Sequence, residues 1–297
     1  MVTGYVSGVS AATLMRGLRV HVADIRGLRT EYWLGGSGPP VVLVHGLGGA
    51  AVNFTELAPL LASRHRVLVP DLPGHGGTEP LARVETIGDL ADHVAAVAER
   101  ERMTPAAVVG YSMGGLVALR LAVAHSDAVA RLALVAPAGI VSATRRARVW
   151  VAVVGVLRPA RLVSGFRHSI GRRRVLRRLT FGYWGAADPG ALSLEAVLGF
   201  LEGPPRHTDV GSAGWALVRD DPRQDLDRVR CPTMLLWGAR DRLVPLTDGF
   251  EYARRLRCPI RTIPAAGHLL VGEDPAACAE LLEPFLHEGA VADEPRG

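Results

Sequence analysis

Short apolar runs recur along most of this chain, and glycine, proline or polar turns bound them. Helical patterns separate most of the runs, and the valine-rich ones are typical of strands buried on both faces. This alternation predicts an α/β protein with a mostly parallel, doubly wound sheet. Strands are predicted at Leu18–Val22, Thr30–Leu34, Val41–Val44, Arg66–Val69, Ala106–Val109, Arg131–Val135, Thr233–Trp237 and Ile260–Ile263. Helices are predicted at Phe54–Leu61, Ile87–Arg102, Gly115–Ala124, Phe250–Leu256 and Asp274–Leu286.

The alternation stops between Ile140 and Asp221, where the sequence is apolar and basic. This segment has helical stretches and no clear strands. We therefore predict a helical cap over residues 140–221, inserted into a core formed by residues 1–139 and 222–297. A chain of 297 residues is long enough for one α/β core with such an insertion.

Positive charge is concentrated in the predicted cap. All 34 basic residues of the chain are arginine, and the formal net charge is +5. Eleven of the arginines lie between Val141 and Tyr183, where there is no aspartate or glutamate. Such a surface fits an anionic substrate, a membrane surface or nucleic acid, and a simply solvated basic face is at least as compatible. We expect no nucleic-acid partner, and the oligomeric state is open.

The cysteines and the apolar runs suggest where the protein acts. Cys231, Cys258 and Cys278 are odd in number and lack the spacing of a metal site, which fits a reducing compartment. The N-terminus lacks the features of a signal peptide, and the longest apolar run, Val149–Leu157, is too short to cross a bilayer. We expect a cytoplasmic protein. The glycine-rich loop His45–Gly49 has neither P-loop nor dinucleotide spacing, and we expect no cofactor and no metal.

A serine lies between glycines in the order G-x-S-x-G within the stretch from Val108 to Leu116. This stretch joins a predicted strand to a predicted helix, which is the context that gives the motif catalytic meaning. The sharp turn raises the serine above the sheet, and the glycines let the backbone pass closely. We predict that Ser112 is a nucleophile and that the N–H of Met113 stabilises an oxyanion.

A serine hydroxyl needs a base, and the base needs a carboxylate that fixes its tautomer. Asp241 and His268 each follow one of the last two predicted strands. Since the carboxyl ends of parallel strands meet at one edge of a sheet, we predict that Ser112, Asp241 and His268 converge there. Leu47, in a glycine-rich loop at the same edge, is the predicted second oxyanion donor.

Several polar residues near this edge have structural interpretations. We predict that His45 is a hydrogen-bonded loop residue, and that Asp71 belongs to a capped loop at the sheet edge. Asp248 and Glu273 are alternatives to Asp241, but Asp248 falls where a helix begins and Glu273 lies close to the histidine in a helix-opening segment. Three other histidines are predicted to be surface or loop residues: His75, His93 and His168.

Together these motifs resemble the α/β-hydrolase superfamily, in which the nucleophile, acid and base follow in the order Ser, Asp or Glu, His. The resemblance extends from Val41 to Leu286. It implies that Ser112 attacks a carbonyl, that His268 takes the proton, and that water releases the acid from an acyl-enzyme below a helical lid. The motifs that carry it are His45–Gly49, Asp71–Gly76, Gly110–Gly115, Gly238 to Pro245 and Gly267–His268.

Residue types narrow the choice within this superfamily. A serine nucleophile argues against haloalkane dehalogenases and epoxide hydrolases, and the absence of lysine excludes a lysine-assisted hydroxynitrile lyase. Hydrolases of C–C bonds in meta-cleavage products are similar around Ser112, but usually carry asparagine and tryptophan where this chain has Tyr111 and Leu269. We expect a serine esterase or lipase-like carboxylic-ester hydrolase that acts on a small molecule with a fairly apolar acyl group. The basic cap then offers a contact for an anionic membrane surface or an acyl carrier. A thioesterase, a lactonase, a C–C hydrolase and a non-catalytic small-molecule receptor are the alternatives.

Overall fold

The core of the protein is one eight-stranded sheet. A computed structural model describes residues 15–140, 159–182 and 185–287. The strands, numbered along the chain, are β1 Leu18–Ile25, β2 Leu28–Gly35, β3 Pro40–Val44, β4 Arg66–Pro70, β5 Ala106–Tyr111, β6 Val129–Val135, β7 Thr233–Gly238 and β8 Ile260–Ile263. Their order across the sheet is β1-β2-β4-β3-β5-β6-β7-β8.

Most of this sheet is parallel. β1 and β2 form an antiparallel hairpin, and β2 is also antiparallel to β4. Every neighbouring pair from β4 across to β8 is parallel, which confirms the predicted sheet. β5 lies in the middle, between β3 and β6, and all six of its residues are buried. Full burial explains why this strand is apolar throughout rather than alternating.

Helices follow most of the strands. They are α1 Leu57–Ala62, α2 Ile87–Arg100, α3 Met113–Ala124, α4 Pro159–Ser164, α5 Arg167–Arg172, α6 Arg174–Phe181, α7 Leu194–Glu202, α8 Val210–Arg219, α9 Leu246–Leu256, α10 Leu270–Glu273 and α11 Pro275–His287. The short helix α10 was not predicted, because only a linker was expected between β8 and the last helix. Within the described ranges, no helix has both the length and the apolar character needed to cross a bilayer.

The segment between β6 and β7 is helical or irregular wherever the structure describes it, and contains α4 to α8. Its helices contact the core through polar groups as well as apolar ones. The Asn53 side-chain amide donates to the carbonyl of Gly199 over 3.1 Å, and Arg206 donates two hydrogen bonds of 2.7 and 2.6 Å to Glu31. The run Val149–Leu157 and residues 1–14 lie outside the described ranges. The division into core and cap stays a prediction.

Candidate active site

Ser112 lies at the turn between β5 and α3. Its backbone has φ 55° and ψ −122°, a conformation that L-residues rarely adopt and that costs about 1–3 kcal/mol. The close packing around the turn explains the neighbouring glycines. A Cβ on Gly114 would lie 2.1 Å from the carbonyl oxygen of Val44, and one on Gly115 would lie 2.7 Å from Pro137 Cβ. The turn therefore requires residues without side chains on the helical side of the serine.

His268 and Asp241 meet Ser112 at this turn. His268 Nε2 is 3.0 Å from Ser112 Oγ, and Nδ1 is 2.7 Å from Asp241 Oδ2. A carboxylate oxygen only accepts, so the Nδ1–H of His268 donates to Asp241 and Nε2 accepts the serine O–H. The imidazole and the Asp241 carboxylate are almost completely buried, at 4% and 0% exposure. The predicted alcohol, imidazole and carboxylate thus form one continuous chain of hydrogen bonds.

The loop after β7 fixes the orientation of Asp241. Its Oδ1 accepts hydrogen bonds of 2.8 Å from both the Leu243 and the Val244 N–H groups, while Oδ2 faces His268. The Trp237 indole N–H donates to the Val244 carbonyl over 3.0 Å and closes this loop. Both carboxylate oxygens are therefore occupied by donors that hold the side chain toward the imidazole.

The two alternative carboxylates lie elsewhere. Asp248 is buried within α9. Glu273, at the end of α10, accepts backbone N–H groups from Gly267 and Ala187 at 2.9 and 2.7 Å. Burial raises the pKa of Glu273 above its ordinary value. Glu273 therefore contacts the loop that carries His268, and its carboxylate accepts main-chain N–H groups rather than the imidazole.

The loop after β3 runs directly beside Ser112. A Cβ on Gly46 would lie 2.9 Å from Ser112 Cβ and 3.3 Å from its Oγ, so Leu47 follows a residue in contact with the serine. Met113 is the first residue of α3, and its N–H has no acceptor within the helix. These positions fit the predicted oxyanion donors, whose role stays a prediction.

The imidazole of His45 holds the loop after β3 by hydrogen bonds to two backbone groups. Its Nε2 accepts the Leu72 N–H over 3.0 Å, and its Nδ1–H donates to the Gly46 carbonyl over 2.9 Å. Burial lowers the pKa of His45 to about 3, so the ring stays neutral at physiological pH. Asp71 accepts backbone N–H groups from Ala51 and Gly77 at 2.6 and 2.8 Å. Both residues have the structural surroundings that the sequence predicts for them.

Sequence reasoning missed the role of Tyr111. The Tyr111 hydroxyl donates to the backbone carbonyl of His268 over 3.0 Å, and the two ring centroids are 5.4 Å apart. Burial and the nearby Asp241 charge raise the pKa of Tyr111 well above its ordinary value, so the phenol stays a neutral donor. The prediction for His93 was wrong, since it is buried on α2 with Nε2 3.1 Å from Thr30 Oγ1. His75 is in a loop as predicted, but it is buried.

One group of side chains in the described ranges has the composition of a metal site. The ligand atoms of His65, Glu283 and His287 all lie within 4.8 Å of one another. His65 immediately precedes β4, at the amino end of the parallel strands, whereas Ser112 follows the carboxyl end of β5. The cluster is therefore at the opposite edge of the sheet from the serine.

Comparisons with known proteins agree with this fold. A family model described as the alpha/beta hydrolase family matches residues 41–281. A pimeloyl-[acyl-carrier protein] methyl ester esterase from Chromobacterium violaceum is 34% identical over 226 residues, 74% of this chain and 83% of that protein. The magnesium-chelatase 30 kDa subunit of Rhodobacter capsulatus is 32% identical over 249 residues, 78% of this chain and 81% of that protein. The solved structure of a thermophilic esterase from Thermogutta terrifontis is 26% identical, with a TM-score of 0.69 over 90% of this chain and 98% of that one.

Proposed function

Because this chain belongs to the alpha/beta hydrolase family, we propose that it is a serine hydrolase of carboxylic esters with a fairly apolar acyl group. The observation that carries the proposal is the continuous chain of hydrogen bonds from Ser112 through His268 to Asp241. A serine is a weak nucleophile at neutral pH, and this arrangement supplies a base whose tautomer is fixed by a carboxylate.

The reaction proceeds in two halves. Ser112 Oγ attacks the ester carbonyl carbon while His268 Nε2 takes the hydroxyl proton. The tetrahedral intermediate collapses with loss of the alcohol, which receives that proton from His268, and an acyl-enzyme remains. His268 then takes a proton from water, which attacks the acyl carbon, and the proton returns to Ser112 Oγ as the acid leaves. Asp241 stabilises the imidazolium in both halves.

The backbone N–H groups of Leu47 and Met113 hold the oxyanion in this mechanism. The contact between Gly46 and Ser112 places the loop beside the attacking oxygen, and Met113 begins a helix whose N-terminus favours negative charge. Two fixed donors on a developing oxyanion are each worth about 10²–10³ in turnover.

We assign residues 140–221 as a cap over this site and residues 1–139 and 222–297 as the catalytic core. The basic charge of the cap fits an acyl carrier or an anionic membrane surface as its contact. Exposed arginines lie at the junction of α5 and α6: Arg172, Arg173 and Arg174. The name of the relative from C. violaceum, an esterase of an acyl-carrier-protein-linked methyl ester, supports the carrier. Cys231, Cys258 and Cys278 are free, which supports a cytoplasmic location.

Hydrolysis of p-nitrophenyl esters from acetate to octanoate tests the proposal. We expect turnover by the wild type and a loss of at least about 10³-fold in kcat for Ser112→Ala. Ser126→Ala is the matched control, because this serine is exposed in a turn outside the site, and its activity should be unchanged. A thioester, a lactone and a vinylogous diketone complete the panel.

The outcomes separate the alternatives. A clear preference for the diketone would identify a C–C hydrolase instead. No turnover of any substrate, together with fluorophosphonate labelling of Ser112, would identify a binding protein with an activated serine. Equal activity in the wild type and Ser112→Ala would overturn the proposed nucleophile.

A further inference from the structure

We propose that Glu273 is a positioning residue that couples the segment between α6 and α7 to the candidate base His268. The proposal rests on the function proposed above and deepens it, since it concerns how the same site is assembled. Glu273 does not touch the reacting atoms. It acts through the main chain on either side of the contact between the cap and the core.

The two oxygens of Glu273 have different partners. Oε1 accepts the N–H of Gly267, the residue directly before His268, over 2.9 Å. Oε2 accepts the N–H of Ala187, in the segment between β6 and β7, over 2.7 Å. One partly buried carboxylate therefore joins the loop of the candidate base to the predicted cap. Hydrogen bonds from backbone N–H groups to a carboxylate are stronger than those between neutral groups.

A second hydrogen bond connects the same two segments on the C-terminal side of His268. The N–H of Leu269, directly after His268, donates to the carbonyl of Gly185 over 3.0 Å. A Cβ on Gly267 would lie 2.6 Å from the Ala187 nitrogen, so these two backbone segments are in direct contact. Both neighbours of His268 in sequence are thus hydrogen-bonded, directly or through Glu273, to residues 185–187.

This arrangement makes the position of the imidazole depend on the cap. If the segment 185–187 moves, the backbone on both sides of His268 loses a partner, and the distance from Nε2 to Ser112 Oγ is no longer fixed. A displacement of about 1 Å at a catalytic group can cost about 10²-fold in rate. Coupling is reciprocal, so a substrate that orders the cap will also order His268.

Replacing Glu273 by glutamine, which has the same shape and no charge, weakens its hydrogen bonds to Gly267 and Ala187. In Glu273→Gln, the charge that strengthens both hydrogen bonds is lost, and one of the two oxygens becomes an NH₂ group that faces an N–H donor. The amide can take either orientation, so the bonds to Gly267 and to Ala187 both weaken. Glu280→Gln is the matched control, because Glu280 is exposed on the adjacent helix α11. Gly267→Ala is a second variant. Its Cβ pushes the backbone of residues 185–187 away from the His268 loop, while the Glu273 carboxylate is kept.

The experiment combines kinetics with amide hydrogen exchange of the full chain. For a soluble p-nitrophenyl ester we expect kcat to fall at least about tenfold in Glu273→Gln, with KM within about twofold, since positioning of the base affects the chemical step. Exchange at Ala187 and at Gly267 should accelerate together. Gly267→Ala should show the same split, and Glu280→Gln should resemble the wild type in both measurements.

The results distinguish this inference from the function on which it rests. Faster exchange at Ala187 and Gly267 with unchanged kcat in Glu273→Gln would overturn the positioning role and leave only a structural tie. Exchange that changes at Gly267 alone would overturn the coupling to the cap. A wild type without activity or fluorophosphonate labelling would overturn the proposed function, while the exchange measurement would still test the tie itself.

Discussion

The hydroxyl of Tyr111 donates to the main-chain carbonyl of His268 across 3.0 Å, although 157 residues separate them in sequence. Tyr111 is the last residue of β5 and directly precedes Ser112. The strand that delivers the candidate nucleophile therefore also holds the loop of the candidate base. The phenol ring stacks obliquely near the imidazole, with an interplanar angle of 36°.

Tyr111→Phe should lower kcat about three- to tenfold while KM stays nearly constant. The change removes one buried hydrogen bond, worth about 1 kcal/mol, and leaves the His268 carbonyl without this donor. The reason for the kinetic effect is a less fixed imidazole rather than a lost substrate contact. Steady-state kinetics on a short-chain ester measure both parameters.

Tyr32→Phe is the control for that variant. Tyr32 is also buried and donates to Glu101 over 2.5 Å, but this bond joins β2 to the end of α2, away from His268. Both variants should lose similar stability in urea unfolding. If kcat falls equally in both, the effect of Tyr111→Phe comes from general destabilisation and not from His268.

Asp241→Asn should reduce kcat by about 10⁴-fold with little change in the fold. The N–H groups of Leu243 and Val244 both point at Oδ1, so they select the carbonyl oxygen of the asparagine. Its NH₂ group then faces His268 Nδ1 and donates to it. The ring proton moves to Nε2, where it faces Ser112, and the base is lost.

Asp248→Asn tests the alternative acid. Asp248 lies within α9, whereas the carboxylate that the His268 imidazole contacts is that of Asp241. We expect its ester hydrolysis to stay within about twofold of the wild type. A larger loss for Asp248→Asn than for Asp241→Asn would reverse the assignment of the two aspartates. Circular dichroism of both variants checks that they remain folded.

The sequence was sufficient to predict the sheet, because buried parallel strands are continuous apolar runs that are hard to mistake. The edge that gathers Ser112, Asp241 and His268 followed from the same rule, since each residue comes after a strand. Boundaries were less accurate. α3 starts at Met113 rather than Gly115, since its first turn is set by the strained backbone at Ser112, which no propensity describes.

The supporting contacts could not be predicted from the sequence. Tyr111 lies beyond the predicted strand Ala106–Val109, and its hydroxyl donates to a main-chain carbonyl, which every residue has. Glu273 likewise binds amides of Gly267 and Ala187, which any sequence would offer. Side-chain contacts to a distant main-chain group therefore leave no recognisable pattern in the amino-acid sequence. His93 was misjudged because Thr30, its hydrogen-bond partner, is 63 residues away.

Stability should fall as the pH drops below about 6.5, because several histidines are buried and neutral. Burial lowers the pKa of His45 and His75 from 6.5 to about 3, and that of His93 to about 4. In this range the unfolded chain binds protons that the folded chain does not. Each histidine therefore costs about 1.4 kcal/mol of unfolding free energy per pH unit.

Asp71 acts in the opposite direction and does not cancel this effect. Burial and the charge of Glu31 raise its pKa from 3.8 to about 6, so between these values the folded state holds the extra proton. Burial also raises the pKa of Glu56 and of Glu273, and both act in the same direction as Asp71. These carboxyls reduce the loss of unfolding free energy between pH 6 and pH 5 that the three histidines cause, and the net change is still a loss.

Urea unfolding at pH 7, 6 and 5 measures this dependence. His75→Asn should reduce the slope by about one proton, since the amide can still donate to the Pro73 carbonyl that His75 Nδ1 contacts at 3.0 Å. His21→Asn, at an exposed position, should leave the slope unchanged. An unfolding free energy that is constant from pH 7 to pH 5 would contradict the neutral buried histidines.

Chelation by EDTA should leave ester hydrolysis unchanged. The proposed mechanism moves protons only among Ser112, His268 and water, and the cluster of His65, Glu283 and His287 lies at the other edge of the sheet. Any shift in Tm on addition of Zn²⁺ should disappear in His287→Ala, because this residue is one of only three ligands in the cluster. Neither the metal nor this variant should alter kcat by more than about twofold. Loss of activity in EDTA that Zn²⁺ restores would mean that a metal takes part in the reaction, and the serine mechanism would then be wrong.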